Sequence, residues 1–226
     1  MPAFRDSHEE QAMMHYTLGQ RTYELLLANI LSGKYRPGQR LGYDVVSKDL
    51  GVSLTPIKEA FPRLEEQGLL VSTPRRGTFV RQFKRADVED LYAIREFMEA
   101  LSVRLACRRA QPRDIQALRR IDKKLASAMK NRDARSCVKT DILFHEEIAR
   151  ISGNSRLLYL LKYSLLTNLF HVSQLGHTFV VRSKEVLAQH ETIISLIERG
   201  SEDTADRLIR EQIRQAAERI LALLKE

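Results

Sequence analysis

VSLTPIKEAFPRLEEQGLL, residues 52–70, reads as a tight turn, a helix and the opening of a strand. Thr55 can cap the helix, and Pro56 at the first helical position loses no hydrogen bond. Ile57, Ala60, Phe61 and Leu64 recur at helical spacing and supply a buried face. Gly68 closes the helix. Pro62 stands inside it, without a backbone N–H and crowding the carbonyl of Lys58, so a kink is expected. A proline in a helix interior costs about 3 kcal/mol unless the geometry accommodates it.

On the N-terminal side, helical spacing begins at Thr17, with Tyr23, Leu26, Leu27, Ile30 and Leu31 on one stripe and Gly33 at its end. The loop KYRPG turns the chain. A short helix follows over Tyr43–Leu50, with Val46 and Leu50 inward and Gly51 just past it. On the C-terminal side, Leu69–Ser72 and Thr78–Val80 are β-prone, and Pro74-Arg75-Arg76-Gly77 reads as a hairpin tip. Helix, helix, tight turn, helix, hairpin is the order of a winged helix-turn-helix, whose helix after the turn enters the major groove. The hairpin tip can place arginines on phosphates or in the minor groove.

From residue 86 onward there is no strand signal. Helices are expected at Ala86–Ala110, Pro112–Asn131, Ala134–Ser152, Ser155–Leu175, Phe179–Arg199 and Glu202–Lys225, with Asp87 and Asp133 as caps. The fold class is mainly α: an N-terminal winged helix-turn-helix followed by an all-α antiparallel helical bundle. The expected division is a tail over 1–16, a DNA-binding domain over 17–81, a linker over 82–85 and a helical effector-binding domain over 86–226.

The chain carries a net charge of +8, which favours an anionic partner. Between Leu69 and Ala86 there is no carboxylate, while Arg75, Arg76, Arg81, Lys84 and Arg85 all occur, as a phosphate-facing patch requires. No apolar run approaches the length of a membrane span, and MPAFRDSHEE lacks the pattern of a secretory signal, so a cytoplasmic location is expected. Cys107 and Cys137 form no CxxC pair and read as inert core thiols.

The run from Tyr23 to Val80 resembles the DNA-binding domain of the GntR family of bacterial transcription regulators, through ILSGKYRPGQRL, LGVSLTPIKEAF, RLEEQGLL and RRGTFV. The remainder resembles the FCD effector-binding domain of its FadR-like subgroup, through LYAIREFMEAL, DILFHEEIARISGNSRL and QHETIISLIERG. The resemblance implies a homodimeric repressor on a palindromic double-stranded DNA operator. It also implies a small-molecule effector, an organic carboxylate, bound in the helical domain.

Against that pattern, Ser53 and Thr55 retain hydroxyls for phosphate at the helix N-terminus. Lys58 replaces a frequent arginine and loses its two-pronged geometry. Leu54 also replaces an arginine, and offers only apolar contact, for instance to a thymine methyl. Asp44, again at an arginine position, would be repelled by phosphate. Arg40, Lys58, Arg63, Arg75, Arg76 and Gly77 remain as the DNA-contacting set. Two outcomes stay open: an altered operator, which we favour, or weakened binding.

Asp141 and His145, four apart, share a helix face, and His190 lies on a later helix. Carboxylate plus imidazoles suits zinc, nickel or manganese. The resemblance makes these three of four metal ligands and aligns Gln212, a poorer neutral donor, with the fourth. That leaves weaker binding, a position open to water or effector, or an empty site. Arg95 could contact an effector carboxylate or pair with Glu99 one turn away, and Asn168 and His171 could line a pocket. Two rival readings are a metal-dependent hydrolase on Asp141, His145 and His190, and an interaction module with a degenerate DNA-binding head. The hydrolase lacks a motif-grade base, since Glu146 and Glu147 point away from the shared face of Asp141 and His145.

Overall fold

The computed structural model describes residues 17–174 and 183–224, without the side chains of residues 134, 135, 166, 168–174, 183 and 184. Contacts divide the chain into two compact units with the boundary between Gln82 and Phe83.

In the first unit, α1 (Leu18–Leu31) starts at Thr17, whose side chain accepts from the Gln20 N–H. Helix α2 (Tyr43–Leu50) ends on Gly51, whose positive φ of 65° lets the chain turn sharply into α3 (Leu54–Glu66). Val46 of α2 is fully buried, whereas Leu50 is only half-buried. The buried face of α3 is Ile57, Ala60, Phe61 and Leu64, as its spacing predicts. It packs on Leu26 and Ile30 at the heart of this unit, and Tyr43 stacks on Phe61 with ring centroids 4.9 Å apart.

Two expectations change here. Ser53, not Thr55, occupies the N-cap of α3, without a side-chain cap bond, so Pro56 is the third helical residue. Its missing N–H still falls among the four that no helical carbonyl reaches. The helix runs on through Pro62 as one element. Pro62 and Lys58 both lie on the exposed face, so water can reach the Lys58 carbonyl that loses its donor.

β1 (Leu70–Thr73) and β2 (Gly77–Val80) form an antiparallel hairpin, pairing Leu70 with Val80 and Thr73 with Gly77. A bridge between Arg40 and Phe79 ties the segment before α2 to β2, a pairing the sequence reading did not anticipate.

The second unit is a bundle of α4 (Arg85–Arg109), α5 (Pro112–Lys130), α6 (Ala134–Ile151), α7 (Ser155–Gln174), α8 (Ser183–Glu198) and α9 (Glu202–Leu223). Arg85, expected in the linker, is already the first residue of α4. Asp87 caps from inside the helix, accepting the Lys84 N–H. Asp133 accepts from the Ser136 N–H at the start of α6. Ala100, Val103, Leu118, Phe144, Ile148, Ile193, Ile197 and Ile209 interlock in the main core, which α4, α5, α6, α8 and α9 all enter. Cys107 and Cys137 are free, and burial pushes the Cys107 thiol up to about 11. Among the described residues, no helix is long and apolar enough to cross a membrane.

Candidate nucleic-acid interface and metal centre

The N-terminal end of α3 is open. Ser53, Leu54, Thr55 and Lys58 are exposed there, and the hydroxyls and the ammonium carry no ion pair or hydrogen bond among the described residues. The helix start therefore presents unpaired N–H groups, two hydroxyls and one cation on one patch, a combination suited to phosphate. Leu54 is 38% exposed at the first helical position. Asp44 is exposed on α2.

The hairpin tip is built by a tight turn in which the Arg76 N–H donates to the Thr73 carbonyl at 3.0 Å. Pro74 in second place and a positive φ of 62° at Arg75 in third give the pattern of a type II turn. Glycine usually fills that third place. An arginine held there stores local strain at an exposed tip, where Arg75 and Arg76 both face solvent. Gly77 has φ 101°, and a Cβ there would sit 2.9 Å from Arg40 Nε. The absent side chain is what lets the Arg40 guanidinium lie against the base of the tip, beside Arg75 and Arg76.

Arg63 is differently placed. Its Nη1 donates to Gln20 Oε1 at 2.7 Å and its guanidinium lies 4.1 Å from the centroid of the Tyr23 ring. It thus binds α3 to α1.

In the helical unit, α6 presents Asp141 and His145, and α8 brings His190 to them. Their ligand atoms all lie within 4.8 Å of one another. His190 Nε2 is 3.4 Å from Asp141 Oδ1, and His145 Nε2 is 4.0 Å from Asp141 Oδ2. Donors about 2.1 Å from a shared ion stand roughly 3–4 Å apart, so the trio is close to the spacing a divalent metal needs.

The other ring nitrogens are held by carboxylates. His190 Nδ1 contacts Asp122 Oδ1 of α5 at 3.0 Å. His145 Nδ1 lies 2.5 Å from Glu99 Oε2 of α4, at an angle too poor for a regular hydrogen bond. With the Nδ1 atoms turned to these carboxylates, both Nε2 atoms face Asp141, the orientation in which metal-binding histidines are held by neighbouring carboxylates. Phe144 stacks on the His190 ring at 3.7 Å and 8°, fixing its plane. His190 Nε2 and Gln212 Oε1 are both buried without a hydrogen-bond partner. Buried polar atoms are rarely left so, and each of these two can act as an electron-pair donor to a cation. Gln212 shares its face of α9 with Ala205, Ile209 and Ile213.

Charge is tightly balanced here. Burial raises the Glu99 pKa, but Arg95 and His145 outweigh it and hold the carboxyl below its usual range. For Asp141 too, burial opposes ionisation, and His190, His145 and Arg95 overcome it. Burial lowers the His190 pKa, but Asp122 and Asp141 carry it above its ordinary value. Arg95 is 3% exposed and pairs with Glu99 at 2.8 Å, the second of the two roles its spacing allowed. Asn168 and His171 lie on α7, but their side chains fall outside the described residues.

The sequence reading missed Asp122, and saw Glu99 only as a partner for Arg95. Asp122 carries no spacing signal, being 68 positions from the histidine it holds.

Comparison with known proteins places these features in a family. The profile of the bacterial regulatory proteins of the gntR family matches residues 18–80, and that of the FCD domain residues 90–215. The chain is 27% identical over 206 residues to the uncharacterized HTH-type transcriptional regulator YdhC of Bacillus subtilis, covering 90% of this chain and 91% of that one. It is 36% identical over 129 residues to the Nta operon transcriptional regulator of Aminobacter aminovorans, covering 57% of this chain and 60% of that one. The HTH-type transcriptional repressor RspR of Escherichia coli K12 is 23% identical over 209 residues, 92% of this chain and 91% of that one. A putative transcriptional regulator GntR from Rhodococcus sp. RHA1 has the same fold, with TM-score 0.77 at 23% identity over 92% of this chain and 99% of that one. These relatives are regulators, not enzymes, and the hydrolase reading falls with them. The chain belongs to the GntR family of DNA-binding bacterial transcription regulators, in the FadR-like subgroup that carries a C-terminal FCD domain.

Proposed function

We propose that this regulator is a homodimeric repressor. It binds a two-fold-symmetric operator through the start of α3 and the β1–β2 tip, and a small carboxylate in the helical unit changes its affinity. The observation that carries the DNA part is the open N-terminal end of α3, where Ser53, Thr55 and Lys58 stand exposed and unpaired. The hydroxyls and free N–H groups bond phosphate, and Lys58 reaches a phosphate or a guanine. Leu54 meets a thymine methyl. Arg75, Arg76 and Arg40 grip the flank, and Gly77 keeps the backbone close. Arg63 stands behind this surface as a brace. Such a protein works on the chromosome, in the bacterial cytoplasm.

In the helical unit, Asp141, His145 and His190 would hold a divalent zinc, nickel or manganese ion, with Gln212 as a neutral fourth donor. The unpartnered His190 Nε2 and Gln212 Oε1 support this reading. The ion supplies a positive anchor for the effector carboxylate. Arg95 is committed to Glu99 and adds its charge to the site's field.

The test is selection of bound fragments from the organism's genomic DNA, followed by affinity titration against salt and metabolites. A preferred two-fold sequence whose affinity falls steeply with salt, and shifts with one carboxylate, is expected. Unchanged operator affinity under every saturating metabolite would remove the effector reading, because a ligand without differential affinity shifts no equilibrium.

A further inference from the structure

Several surface cations of the helical unit are neutralised where they stand. Arg104 pairs with Asp203, Arg150 with Glu147, Lys162 with Glu146 and Arg214 with Glu96. The outer face of α5 departs from this pattern. Arg113, Arg120, Lys123, Lys124 and Lys130 are exposed there, and none carries an ion pair or hydrogen bond among the described residues. At 100° per residue the five fall within an arc of about 120°, strung over about 25 Å.

The two carboxylates of α5 lie away from that arc and are engaged elsewhere. Asp114 accepts the Gln111 N–H and pairs with Arg150, and Asp122 holds His190. The helix has six lysines and arginines to two carboxylates. Its positive excess equals that of residues 17–82, which have ten to six.

The chemistry of the face selects its partner. Gln116 and Ser127 fill the spaces between the cations, and no large apolar residue is exposed on this helix. A protein partner needs apolar or aromatic anchors at the centre of its contact, where lysine is depleted. A helix lying in a membrane surface needs an apolar side, and a grip on single strands needs aromatic platforms. A duplex needs none of these. It offers one phosphate charge per about 1.7 Å of axis, which long cationic side chains meet without a fixed register.

We propose that the outer face of α5 is a second contact for double-stranded DNA, sequence-independent and made to the phosphate backbone, in addition to the operator-reading surface. The chain belongs to a family of DNA-binding regulators, so a duplex is the polyanion it works among. The inference rests on that membership and not on the operator reading, because no base sequence enters it.

Fluorescence anisotropy of the full-length protein with a duplex of arbitrary sequence, across a salt series, decides it. Arg113→Gln, Arg120→Gln, Lys123→Gln and Lys124→Gln combined should lower affinity at least ~10-fold at low salt and reduce the slope of log affinity against log salt by about 2–3. The side chains are exposed and unpaired, so the urea midpoint should stay that of the wild type. Should the combined variant unfold, Arg120→Gln and Lys124→Gln alone should each reduce the slope by about 1. A control losing the same charge elsewhere, Lys139→Gln, Arg156→Gln, Arg199→Gln and Arg207→Gln combined, should change the affinity less than ~2-fold, because its cations touch no phosphate. The α5 loss should persist in an Arg75→Ala, Arg76→Ala background. An unchanged slope, an equal loss in the control, or a loss confined to poly-glutamate or to phosphatidylserine vesicles each overturns the assignment. Failure of operator selection with the α5 dependence intact would sink the operator reading and leave this one standing.

Discussion

The two units place their candidate functional residues in opposite environments. At the start of α3 and at the hairpin tip, Ser53, Thr55, Lys58, Arg75 and Arg76 are exposed. Around Asp141, nearly every charge is already met: His190 by Asp122, His145 by Glu99, and Glu99 by Arg95. A surface that reads phosphate has to leave its cations free, because their attraction is spent once they pair internally. A site that holds a small ion must instead fix its donors beforehand, and carboxylates beside the imidazoles are a common way of doing so. The first kind tolerates changes of residue that alter specificity. The second is sensitive to any partner removed.

Changes that separate the two units follow, largest effect first. Replacing Arg75 and Arg76 together by alanine should lower operator affinity by at least ~100-fold at physiological salt and reduce the slope of log affinity against log salt by about 1–2. Fluorescence anisotropy across a salt series measures both, and metal content should not change. His190→Ala should do the reverse. Zinc affinity, read by competition with a chromophoric chelator, should fall at least ~100-fold, and Asp122→Asn should cost about 10–100-fold. If both variants bind metal like the wild type, the trio is not the ligand set.

Smaller effects test the scaffold of each unit. Pro62→Ala restores a donor to the Lys58 carbonyl on an exposed helix face and should stabilise the protein by about 1–2 kcal/mol, seen as a higher urea midpoint. Asp114→Asn should destabilise by about 1 kcal/mol at neutral pH. The Gln111 backbone N–H, then Arg150, hold the Asp114 pKa below its ordinary value. Its stabilising contribution is therefore complete above the unfolded value and is lost as pH falls through the lower folded one. The difference between variant and wild type should vanish in strong acid, and a gap that persists there would mean the shift has another origin.

Much of the DNA-binding unit was legible because its signals are local. The period of Ile57, Ala60, Phe61 and Leu64, the punctuation by Gly51 and Gly68, and the turn residues at 74–77 each act within one element. The error at the cap of α3 is of the same local kind. Ser53 and Thr55 are both good caps, and the chain's path out of Gly51 selects Ser53. What stayed hidden there is the contact of Arg40 with Gly77, which spans 37 positions and depends on the bridge to Phe79.

The sequence by itself determined the order of elements, the exposed basic tip, the four-residue spacing of Asp141 and His145 and, among the described residues, the helix boundaries to within a few positions; the ends expected at Leu175, Phe179 and Lys225 lie outside the described residues. Those are consequences of periodicity and backbone chemistry, which act over a turn or two. Only the tertiary structure decided that Arg63 is a brace, that Arg95 belongs to Glu99, and that Asp122 turns His190 toward Asp141. Each of these depends on which helices pack together. Burial and charge balance are properties of that packing and leave no trace in local spacing.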